Sequence, residues 1–433
     1  MRHHRWHRRV TAAALAVLVT VGLAACGGGT AGPPTLTWYI NPDSGGQEEI
    51  AARCTADAGG RYTISVSVLP RESSAQREQL VRRLAAQDSS IDLMSLDPPY
   101  IPEFANAGFL APMPPDVAAR VSEGVVRSAI EGATWEGQLV TVPFWANTQL
   151  LWYKKSVAQA AGLDMNQPVT WDQLMDAAQS QNTLIAAQGR RAESLVVWVN
   201  ALIESAGGSI IEQNAPQPEN IVLGLDTPAA ARAAEVMQRM GTSGLGGPAF
   251  STAGEDESVT MFEDGEAAFM VNWPFVWPRA QSAVEGGTLD ASVPADYGWA
   301  LYPRVDPDKE SKPPYGGINL GVGAFSAHPD FAFEAAECIT SVENQAYYFV
   351  SNGNPASKAS VYDDPEVLAE FPMAPVIRES LEQAAPRPQT AYYSEVSGSI
   401  QRVYHPPASV VPGQTGPEAA ALITAVLAGD QLL

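Results

Sequence analysis

The 433-residue sequence is poor in histidine and in basic residues. It has 5 His, three of them within the first seven residues, so only His328 and His405 remain for the body of the chain. Zinc centres and Ser/His or Cys/His nucleophiles therefore have too few residues to form, and no metal or cofactor is expected. The chain has 26 Lys and Arg against 48 Asp and Glu, a formal net charge of -22. Because binding to a phosphate backbone depends on Lys and Arg, nucleic acid is not an expected partner.

Long apolar runs are also rare, and the one strong run lies near the N-terminus. Residues 2–9 are basic and residues 10–25 are apolar with small residues at the end, which is typical of a secretory signal peptide over residues 1–25. This run is too short and wrongly flanked to span a membrane, and no later run approaches the roughly 18 residues that a span needs. The sequence therefore predicts an exported chain whose body has no transmembrane helix.

The signal peptide ends in Leu23-Ala24-Ala25-Cys26, which resembles a bacterial lipobox. This resemblance implies cleavage before Cys26, lipidation of its thiol and anchoring to the outer face of the cytoplasmic membrane. Residues 26–34, rich in Gly and Pro, would then form a flexible tether. The alternative is an ordinary signal peptide with an incidental cysteine. Removing residues 1–25 takes away four Arg and no acids, which leaves 22 basic against 48 acidic residues and a charge of -26.

Cysteine is scarce, with 3 residues in all, and only Cys54 and Cys338 remain after Cys26. A pair of cysteines in an exported chain can form a disulfide, and we predict that these two are bridged. The alternative is two buried free thiols, because the sequence does not show that their Cα atoms come within bridging distance.

The order of strands and helices at the start of the mature chain predicts an α/β fold. With 433 residues, 45% of them hydrophobic, the chain can form two substantial cores. Strands are expected at 36–40, 62–69 and 91–96, with helices at 46–57 and 74–87 between them. Ser44 is expected to cap the first helix, and Ser73 with Gln76 to form a capping box at the second. This order predicts a doubly wound lobe whose ligand lies beyond the carboxyl ends of the strands, where Asp97 follows the third strand.

A second unit begins near residue 140. Thr170 and Gln173 have capping-box spacing and predict a helix that continues to about residue 187. Thr227 before Pro228 predicts another helix, which ends at Gly241. Further helices are expected at 193–205, 329–350 and 417–427.

Seven stretches of the chain occur in the order that one family has between residue 35 and about residue 400. They are Asp97-Pro98-Pro99-Tyr100, Asn147-Thr148-Gln149-Leu150-Leu151-Trp152-Tyr153, Pro168-Val169-Thr170-Trp171, Leu195-Val196-Val197-Trp198, Val271-Asn272-Trp273-Pro274-Phe275-Val276, Gly316-Gly317-Ile318-Asn319-Leu320 and Arg387-Pro388. In these stretches the chain resembles the extracellular solute-binding proteins that deliver sugars to ABC importers, in particular the trehalose/maltose-type branch.

The resemblance implies a two-lobed periplasmic-binding-protein-like fold with discontinuous lobes joined by a hinge. The N-terminal lobe would comprise 35–145 plus 302–350, and the C-terminal lobe 146–301 plus 351–433. The two lobes would close on a disaccharide and present it to the permease subunits of the importer. The protein would act as a monomer and would not be an enzyme.

A neutral disaccharide offers hydroxyls and patches of C–H surface, so its site needs carboxylates, amides, arginine and an aromatic face. Carried over residue by residue, the resemblance implies ligand contacts from Asp97, Asn147, Glu255, Trp273, Gly317 and Arg387, with Asp43 and Gln76 as further contacts.

Each of these residues also has an ordinary structural alternative. Asp97 could cap a helix or turn, and the amide of Asn147 could bond the backbone of its loop. Trp273 could belong to the core, and Glu255 to a solvated acidic face. Gly317 could serve a tight turn.

The same holds for the last three candidates. Arg387 could form a surface ion pair, Asp43 could belong to a Pro/Gly turn, and Gln76 could cap its helix.

Two classes of function remain open. The first is a sugar-binding receptor of an importer, and the second is an exported glycoside hydrolase in which Asp97 and Glu255 would form a carboxylate pair. A charged or phosphorylated ligand is disfavoured, because the sequence indicates few positive residues near the expected cleft.

Overall fold

Two β-sheets, of five and four strands, organise residues 32–433, the part of the chain that the computed structural model describes, and two further sheets have only two strands each. The predicted signal peptide, the lipidation site Cys26 and the first six residues of the tether lie outside these residues. Within 32–433, no helix combines the length and the apolar character that crossing a bilayer requires.

The strands and helices of this part of the chain are numbered here in chain order. The strands are β1 (Thr35–Ile40), β2 (Thr63–Val68), β3 (Leu93–Leu96), β4 (Thr134–Trp135), β5 (Gln138–Leu139), β6 (Val142–Thr148), β7 (Leu150–Lys154), β8 (Leu184–Ala186), β9 (Ile211–Gln213), β10 (Val222–Leu223), β11 (Ala267–Asn272), β12 (Tyr297–Ala300) and β13 (Tyr315–Val322). The helices are α1 (Gly46–Asp57), α2 (Ser73–Ala85), α3 (Ile101–Asn106), α4 (Pro115–Ser122), α5 (Arg127–Gly132), α6 (Lys155–Ala160), α7 (Trp171–Ser180), α8 (Glu193–Ser205), α9 (Pro228–Thr242), α10 (Glu255–Glu263), α11 (Val276–Glu285), α12 (Ser292–Ala295), α13 (Pro329–Ile339), α14 (Val342–Asn352), α15 (Pro365–Glu370), α16 (Ala374–Gln383), α17 (Tyr393–Val403) and α18 (Thr415–Leu427).

The larger sheet has five strands in the order β2-β1-β3-β13-β6. Strand β1 runs parallel to both β2 and β3, with Trp38 opposite Val66 on one side and Leu93 on the other. This is the parallel arrangement that the first part of the sequence predicts. Strand β13 joins from far along the chain and pairs antiparallel with β3 and β6. The sheet therefore combines strands that are distant in sequence.

The smaller sheet has four strands in the order β12-β7-β11-β8. Only Gln149 separates β6, in the larger sheet, from β7, in the smaller one, so the chain crosses between the sheets at this residue. It returns with β13. The core beside the smaller sheet is built on α8, which is apolar nearly all round, and the Trp171 and Trp198 rings meet there at 5.9 Å between centroids.

Several predicted elements are confirmed. Helix α8 spans the predicted residues, and Thr170 with Gln173 forms the predicted capping box at α7, with bonds of 3.2 and 2.8 Å. The predicted disulfide is also present and joins Cys54 of α1 to Cys338 of α13, with their Cα atoms 5.8 Å apart. The bridge fixes two helices that lie 284 positions apart in sequence against the same face of the larger sheet.

Two predicted helices are wrong in extent. The helix expected through residue 187 ends at Ser180, because Asn182 takes a left-handed conformation with φ of 52° that a helix cannot continue through. The residues after it form β8, which pairs with β11 of the smaller sheet. The helix expected at 329–350 is two helices, because Ser341 caps a new helix by accepting from the backbone N–H of Asn344 at 3.3 Å.

Two predicted caps are also wrong. Helix α1 is not capped by Ser44, since the carboxylate of Asp43 accepts from the backbone N–H groups of Gly45 and Gln47 at 2.9 and 2.8 Å. Helix α2 has no side-chain cap, because Gln76 turns away and donates its amide N–H to the carbonyl of Pro70 at 2.8 Å.

Candidate ligand-binding cleft

A cleft of about 610 Å³ lies between elements of the larger and the smaller sheet. On the larger-sheet side its walls come from the segments that follow β1, β2 and β3, including Asn41, Arg71 and Asp97. On the smaller-sheet side they come from the starts of α8 and α10 and from Trp273, directly after β11. The cleft therefore lies at the carboxyl ends of the parallel strands, where the sequence predicts the ligand.

Trp273 and Glu255 form one fixed unit of the wall. The indole Nε1 of Trp273 donates to Oε1 of Glu255 at 2.7 Å. The side chain of Asn272 ties the two backbones together, since its oxygen accepts from the Trp273 N–H at 2.9 Å and its nitrogen donates to the Glu255 carbonyl at 3.0 Å. Burial raises the pKa of Glu255 above its usual value, while the bond from the indole acts in the opposite direction.

Two consecutive glycines of β13 form the floor beside this ring. A Cβ on Gly316 would lie 3.0 Å from Cη2 of Trp273, so the ring packs on the bare backbone. Gly317 has φ of 114°, which a residue with a side chain rarely adopts, and a Cβ there would overlap the carbonyl oxygen of Trp145. Both glycines line the cleft, and Gly317 lies within β13 opposite Ala146 of β6, so its backbone belongs to a strand and not to a tight turn. Its contact with a ligand stays a prediction.

Arg387 links the two sides of the cleft through a buried ion-pair network. Its side chain is 4% exposed; one terminal nitrogen donates to Asp97 at 2.6 Å and the other to Glu193 at 2.6 Å. Burial opposes the positive charge, yet Asp97 and Glu193 hold the pKa of Arg387 well above its usual value. The Nε of Arg387 is buried and has no hydrogen-bond partner among residues 32–433. Arg387 is therefore a buried bridge rather than a surface ion pair.

Glu193, which the sequence reasoning missed, is held by three neighbours. It receives hydrogen bonds from Arg387, from the hydroxyl of Tyr393 and, at 2.6 Å, from the hydroxyl of Ser397. Burial, followed by the charge of Glu193, raises the pKa of Tyr393 well above its usual value, so the phenol stays a donor. The only sequence signal for Glu193 is an acidic residue in the first turn of a predicted helix, which is common at helix N-termini.

Asn147 and Gln76 also line the cleft. Asn147 is 8% exposed, and its amide oxygen accepts from the backbone N–H of Thr148 at 3.0 Å. The amide nitrogen of Gln76 holds the turn at Pro70 instead of a helix cap. Each of the two side chains thus has one end fixed by the protein backbone.

Asp43 is not brought to the cleft. Both of its carboxylate oxygens are occupied by backbone N–H groups at the start of α1, and the residue does not line the cavity. The prediction of Asp43 as a ligand contact is therefore corrected: the Pro/Gly turn of which it is part continues into a helix, and its carboxylate caps that helix.

The expected shortage of positive residues near the cleft is also wrong. Four arginines line it, namely Arg71, Arg190, Arg279 and Arg387. Each of them lies within 4 Å of a carboxylate, at 2.6 Å for Arg71 and Asp256 and 3.6 Å for Arg190 and Glu72. The sequence could not reveal this, because the loops that carry these arginines come together only in the folded chain.

The wall of the cleft thus offers carboxylates, amides, guanidinium groups and the aromatic side chains of Trp145, Trp273 and Phe275. Among the described residues, no group of three or more His, Cys, Asp and Glu is arranged to hold a metal ion. Such a wall can pair hydroxyls on several sides and cover an apolar patch with a ring.

A model of the family described as bacterial extracellular solute-binding protein matches residues 43–346, more than half of the chain. The chain belongs to this family. Among the relatives of this solute-binding protein, a probable ABC transporter-binding protein of Deinococcus radiodurans is 25% identical over 391 residues, which cover 84% of this chain and 87% of that protein. A mannitol-binding protein of Pseudomonas aeruginosa is 27% identical over 387 residues, which cover 86% of this chain and 84% of that protein.

Solved structures confirm the two-lobed fold of this solute-binding protein. Maltose-bound T. maritima MalE3 aligns with a TM-score of 0.77 at 24% identity and covers 92% of this chain and 100% of that chain. The GacH receptor of Streptomyces glaucescens, solved unliganded and with acarbose, aligns with a TM-score of 0.74 at 20% identity and the same coverage.

Proposed function

We propose that this solute-binding protein captures an uncharged disaccharide, trehalose or a related α-glucoside, between its two lobes and delivers it to the permease subunits of an ABC importer. The observation that carries the proposal is the wall of the cleft, where the fixed Trp273–Glu255 unit lies beside the glycine floor and Asp97, Arg387 and Asn147 line the same cavity. A sugar has both hydroxyls and C–H faces, so it matches a wall that combines polar groups with an aromatic ring.

The size of the cleft supports a ligand larger than one sugar ring. Its volume is about 610 Å³. Cavities of this size lie well within the usual range for small-molecule sites. We therefore propose a ligand of disaccharide size for this cleft.

The pairing of the charged groups favours an uncharged ligand. Every arginine of the cleft has a carboxylate of the protein within 4 Å, so an anionic ligand would have to displace one of these carboxylates. Glu255 is the carboxylate that accepts from an indole N–H, and it can accept equally from a sugar hydroxyl.

The named relatives support a carbohydrate or polyol as the ligand class. One curated relative is a mannitol-binding protein, another is a maltotriose-binding protein of Pyrococcus abyssi, and the structures include proteins bound to maltose and to D-mannitol. The proposal of a disaccharide within this class depends on the cleft itself.

A glycoside hydrolase, the alternative from the sequence, has less support. A hydrolase needs one carboxyl group that donates a proton and a second that acts as nucleophile or base. Asp97 is held by Arg387 at 2.6 Å, and this bond occupies one of its carboxylate oxygens. The named relatives are described as binding proteins.

The lobes and the anchor complete the proposal. We propose an N-terminal lobe of 35–145 plus 302–350 and a C-terminal lobe of 146–301 plus 351–433, with the crossing at Gln149, where β6 meets β7, as part of the hinge. Lipidation at Cys26, on the evidence of the sequence alone, would hold the protein at the outer face of the cytoplasmic membrane. Retention of the protein in the membrane fraction, and its loss in Cys26→Ala, would test the anchor.

Calorimetry with a panel of sugars tests the proposed function. The purified chain is titrated with trehalose, maltose and mannitol, and the same samples are assayed for released glucose. We expect saturable heat with trehalose or maltose, weaker heat with mannitol, and no glucose. Absence of saturable heat with all three sugars would contradict a sugar receptor, whereas glucose release that is lost in Glu255→Gln would establish the hydrolase.

A further inference from the structure

Two ion pairs cross the mouth of the cleft. The guanidinium of Arg71 lies 2.6 Å from the carboxylate of Asp256, and that of Arg190 lies 3.6 Å from the carboxylate of Glu72. Arg71 and Glu72 directly precede α2 on the larger-sheet side. On the smaller-sheet side, Arg190 lies shortly before α8 and Asp256 lies in the first turn of α10. The charges are reciprocal, since each side contributes one arginine and one carboxylate. These two contacts are called the rim pairs.

The smaller-sheet partners of the rim pairs are held in place from their own side. Asp256 also lies 3.4 Å from Arg279 of α11, which in turn lies 3.0 Å from Glu263. Arg190 is anchored through its backbone N–H, which donates to the carbonyl of Ala253 at 3.0 Å. Because Asp256 already has a partner on its own side, less side-chain entropy is lost when its rim pair forms.

The rim pairs are exposed, which makes them weak and sensitive to salt. The Arg71 and Asp256 side chains are 76% and 50% exposed, and Arg190 and Glu72 are 41% and 59% exposed. Exposed pairs are weak, and each should favour the closed form by about 1.5- to 5-fold. They are also screened by salt, because the Debye length falls from about 10 Å at 0.1 M to about 3 Å at 1 M ionic strength.

We propose that the rim pairs are an electrostatic latch that stabilises the closed form of the cleft and so makes the affinity for an uncharged sugar depend on ionic strength. The inference rests on the proposed function. A neutral ligand forms no ion pair, so salt can change its affinity only through the protein. A larger closed population lowers the apparent Kd by the same factor. The latch therefore makes the affinity depend on ionic strength, although the sugar itself carries no charge.

The first test is the affinity for the best-bound sugar of the panel in 20 mM and 1 M NaCl. We expect the wild-type Kd to rise by about 2- to 25-fold between the two conditions, the combined effect of two exposed pairs. Arg71→Gln and Arg190→Gln should each weaken binding by about 1.5- to 5-fold in 20 mM NaCl and hardly at all in 1 M NaCl. The matched control is Arg82→Gln, whose arginine is 71% exposed and pairs with Glu78 of the same helix at 3.8 Å. This control should leave the affinity unchanged.

A double-mutant cycle separates the latch from direct contact with the sugar. If Arg71 acts through Asp256, Arg71→Gln has no further effect in the Asp256→Asn background. If Arg71 bonds the sugar itself, its effect persists in that background and in 1 M NaCl, and the latch is overturned. Equal wild-type affinities at both salt concentrations would also overturn the latch and would leave the sugar receptor intact.

Small-angle X-ray scattering of the ligand-free protein tests the latch without any sugar. In 20 mM NaCl, the double variant Arg71→Gln/Arg190→Gln should have a larger radius of gyration than Arg82→Gln, because more molecules are open. This readout remains valid if no sugar in the panel binds, so failure of the proposed function and failure of the latch are distinguishable. Equal radii for the two variants would contradict the latch.

Discussion

The indole Nε1 of Trp273 donates a 2.7 Å hydrogen bond to Oε1 of Glu255, and this bond sets the orientation of the ring at the wall of the cleft. The two residues lie on different elements, Trp273 directly after β11 and Glu255 at the start of α10. Since Asn272 also joins their backbones, neither residue can move without the other. The carboxylate thus holds the ring, and under the proposed function it also faces the ligand.

Trp273→Ala is expected to weaken sugar binding by more than tenfold, because the ligand loses its aromatic contact and Glu255 loses its donor. Trp273→Phe keeps a ring but removes the N–H group, so its effect should be smaller. Glu255→Gln keeps an acceptor for the indole, so any loss of affinity in that variant reports on contact with the sugar. Titration calorimetry measures the three affinities, and far-UV circular dichroism shows whether each variant is folded. An unchanged affinity in Trp273→Ala would remove the ring from the site.

Arg387→Met is expected to destabilise the protein by about 3–5 kcal/mol, because Asp97 and Glu193 would remain buried without their shared cation. Arg387→Lys keeps the charge but not both bonds, so it should cost less. Urea unfolding measures the free energy of unfolding. The matched control is Arg378→Met, whose arginine is 39% exposed and pairs with Asp363 at 3.3 Å, and which should change stability by less than about 0.5 kcal/mol. Equal effects of the two Met variants would show that the buried bridge contributes little.

Asp97→Ala tests the binding side of the same network. Removing this carboxylate should weaken sugar binding by more than tenfold, since the ligand loses an acceptor and Arg387 loses one of its partners. The calorimetric Kd is the measurement. A fully folded Asp97→Ala with the wild-type Kd would mean that Asp97 serves only the ion pair.

Local signals in the sequence predicted much of the fold. The capping box of Thr170 and Gln173 and the apolar helix α8 depend on residues close together in the chain, and both are present. The limits of α7 depend on the conformation of Asn182, and the strand after it forms only because β11 is beside it. Periodicity cannot show that pairing, so the sequence predicts helix at residues where the structure has a strand.

The site was predictable to a similar extent and for the same reason. Asp97 could be placed because it follows a parallel strand, and the cleft lies at that end of the sheet. Glu193 and Arg71 could not be placed at the cleft from the sequence, because their roles depend on partners that lie 194 and 185 positions away in the chain. A charged residue at a predicted loop or helix start has no distinguishing pattern until the loops are brought together.

Protein stability should depend on the protonation of Glu204, near the end of α8. Burial raises the pKa of this carboxyl from 4.5 to about 7, against the opposing charge of Lys312. Because the folded state holds the proton more tightly than the unfolded state, it is stabilised as the pH falls from about 7 towards 4.5. Above pH 7 the charged carboxylate imposes its full penalty, on the order of 3 kcal/mol.

Glu204→Gln isolates this effect from that of the other carboxylates. The variant should be more stable than the wild type at pH 8, and the difference should shrink as the pH is lowered to 5. Urea unfolding at both pH values gives the comparison. Sugar affinity should not change, because Glu204 lies about 16 Å along α8 from its first residue, Glu193, which lines the cleft. A difference in stability that is the same at pH 5 and pH 8 would contradict the raised pKa.

The two glycines of the floor should respond differently to an added methyl group. In Gly316→Ala the new Cβ would lie 3.0 Å from the Trp273 ring, so the ring must shift by a few tenths of an ångström. We expect a several-fold loss of sugar affinity with little loss of stability. In Gly317→Ala the new Cβ would overlap the Trp145 carbonyl at a φ of 114°, so the backbone must move, at a cost of about 1–3 kcal/mol in the free energy of unfolding.

A Trp273→Phe background shows whether Gly316→Ala weakens binding by displacing the Trp273 ring. Phe lacks the outer edge of the indole that Gly316 contacts, so Gly316→Ala in the Trp273→Phe background should cause no further loss of affinity. Gly317→Ala should destabilise both backgrounds equally, because its conflict is with the backbone of Trp145. Calorimetry and urea unfolding of the single and double variants provide both comparisons. If Gly316→Ala weakens binding as much with Phe as with Trp at position 273, position 316 affects the sugar directly and not through the position of the ring.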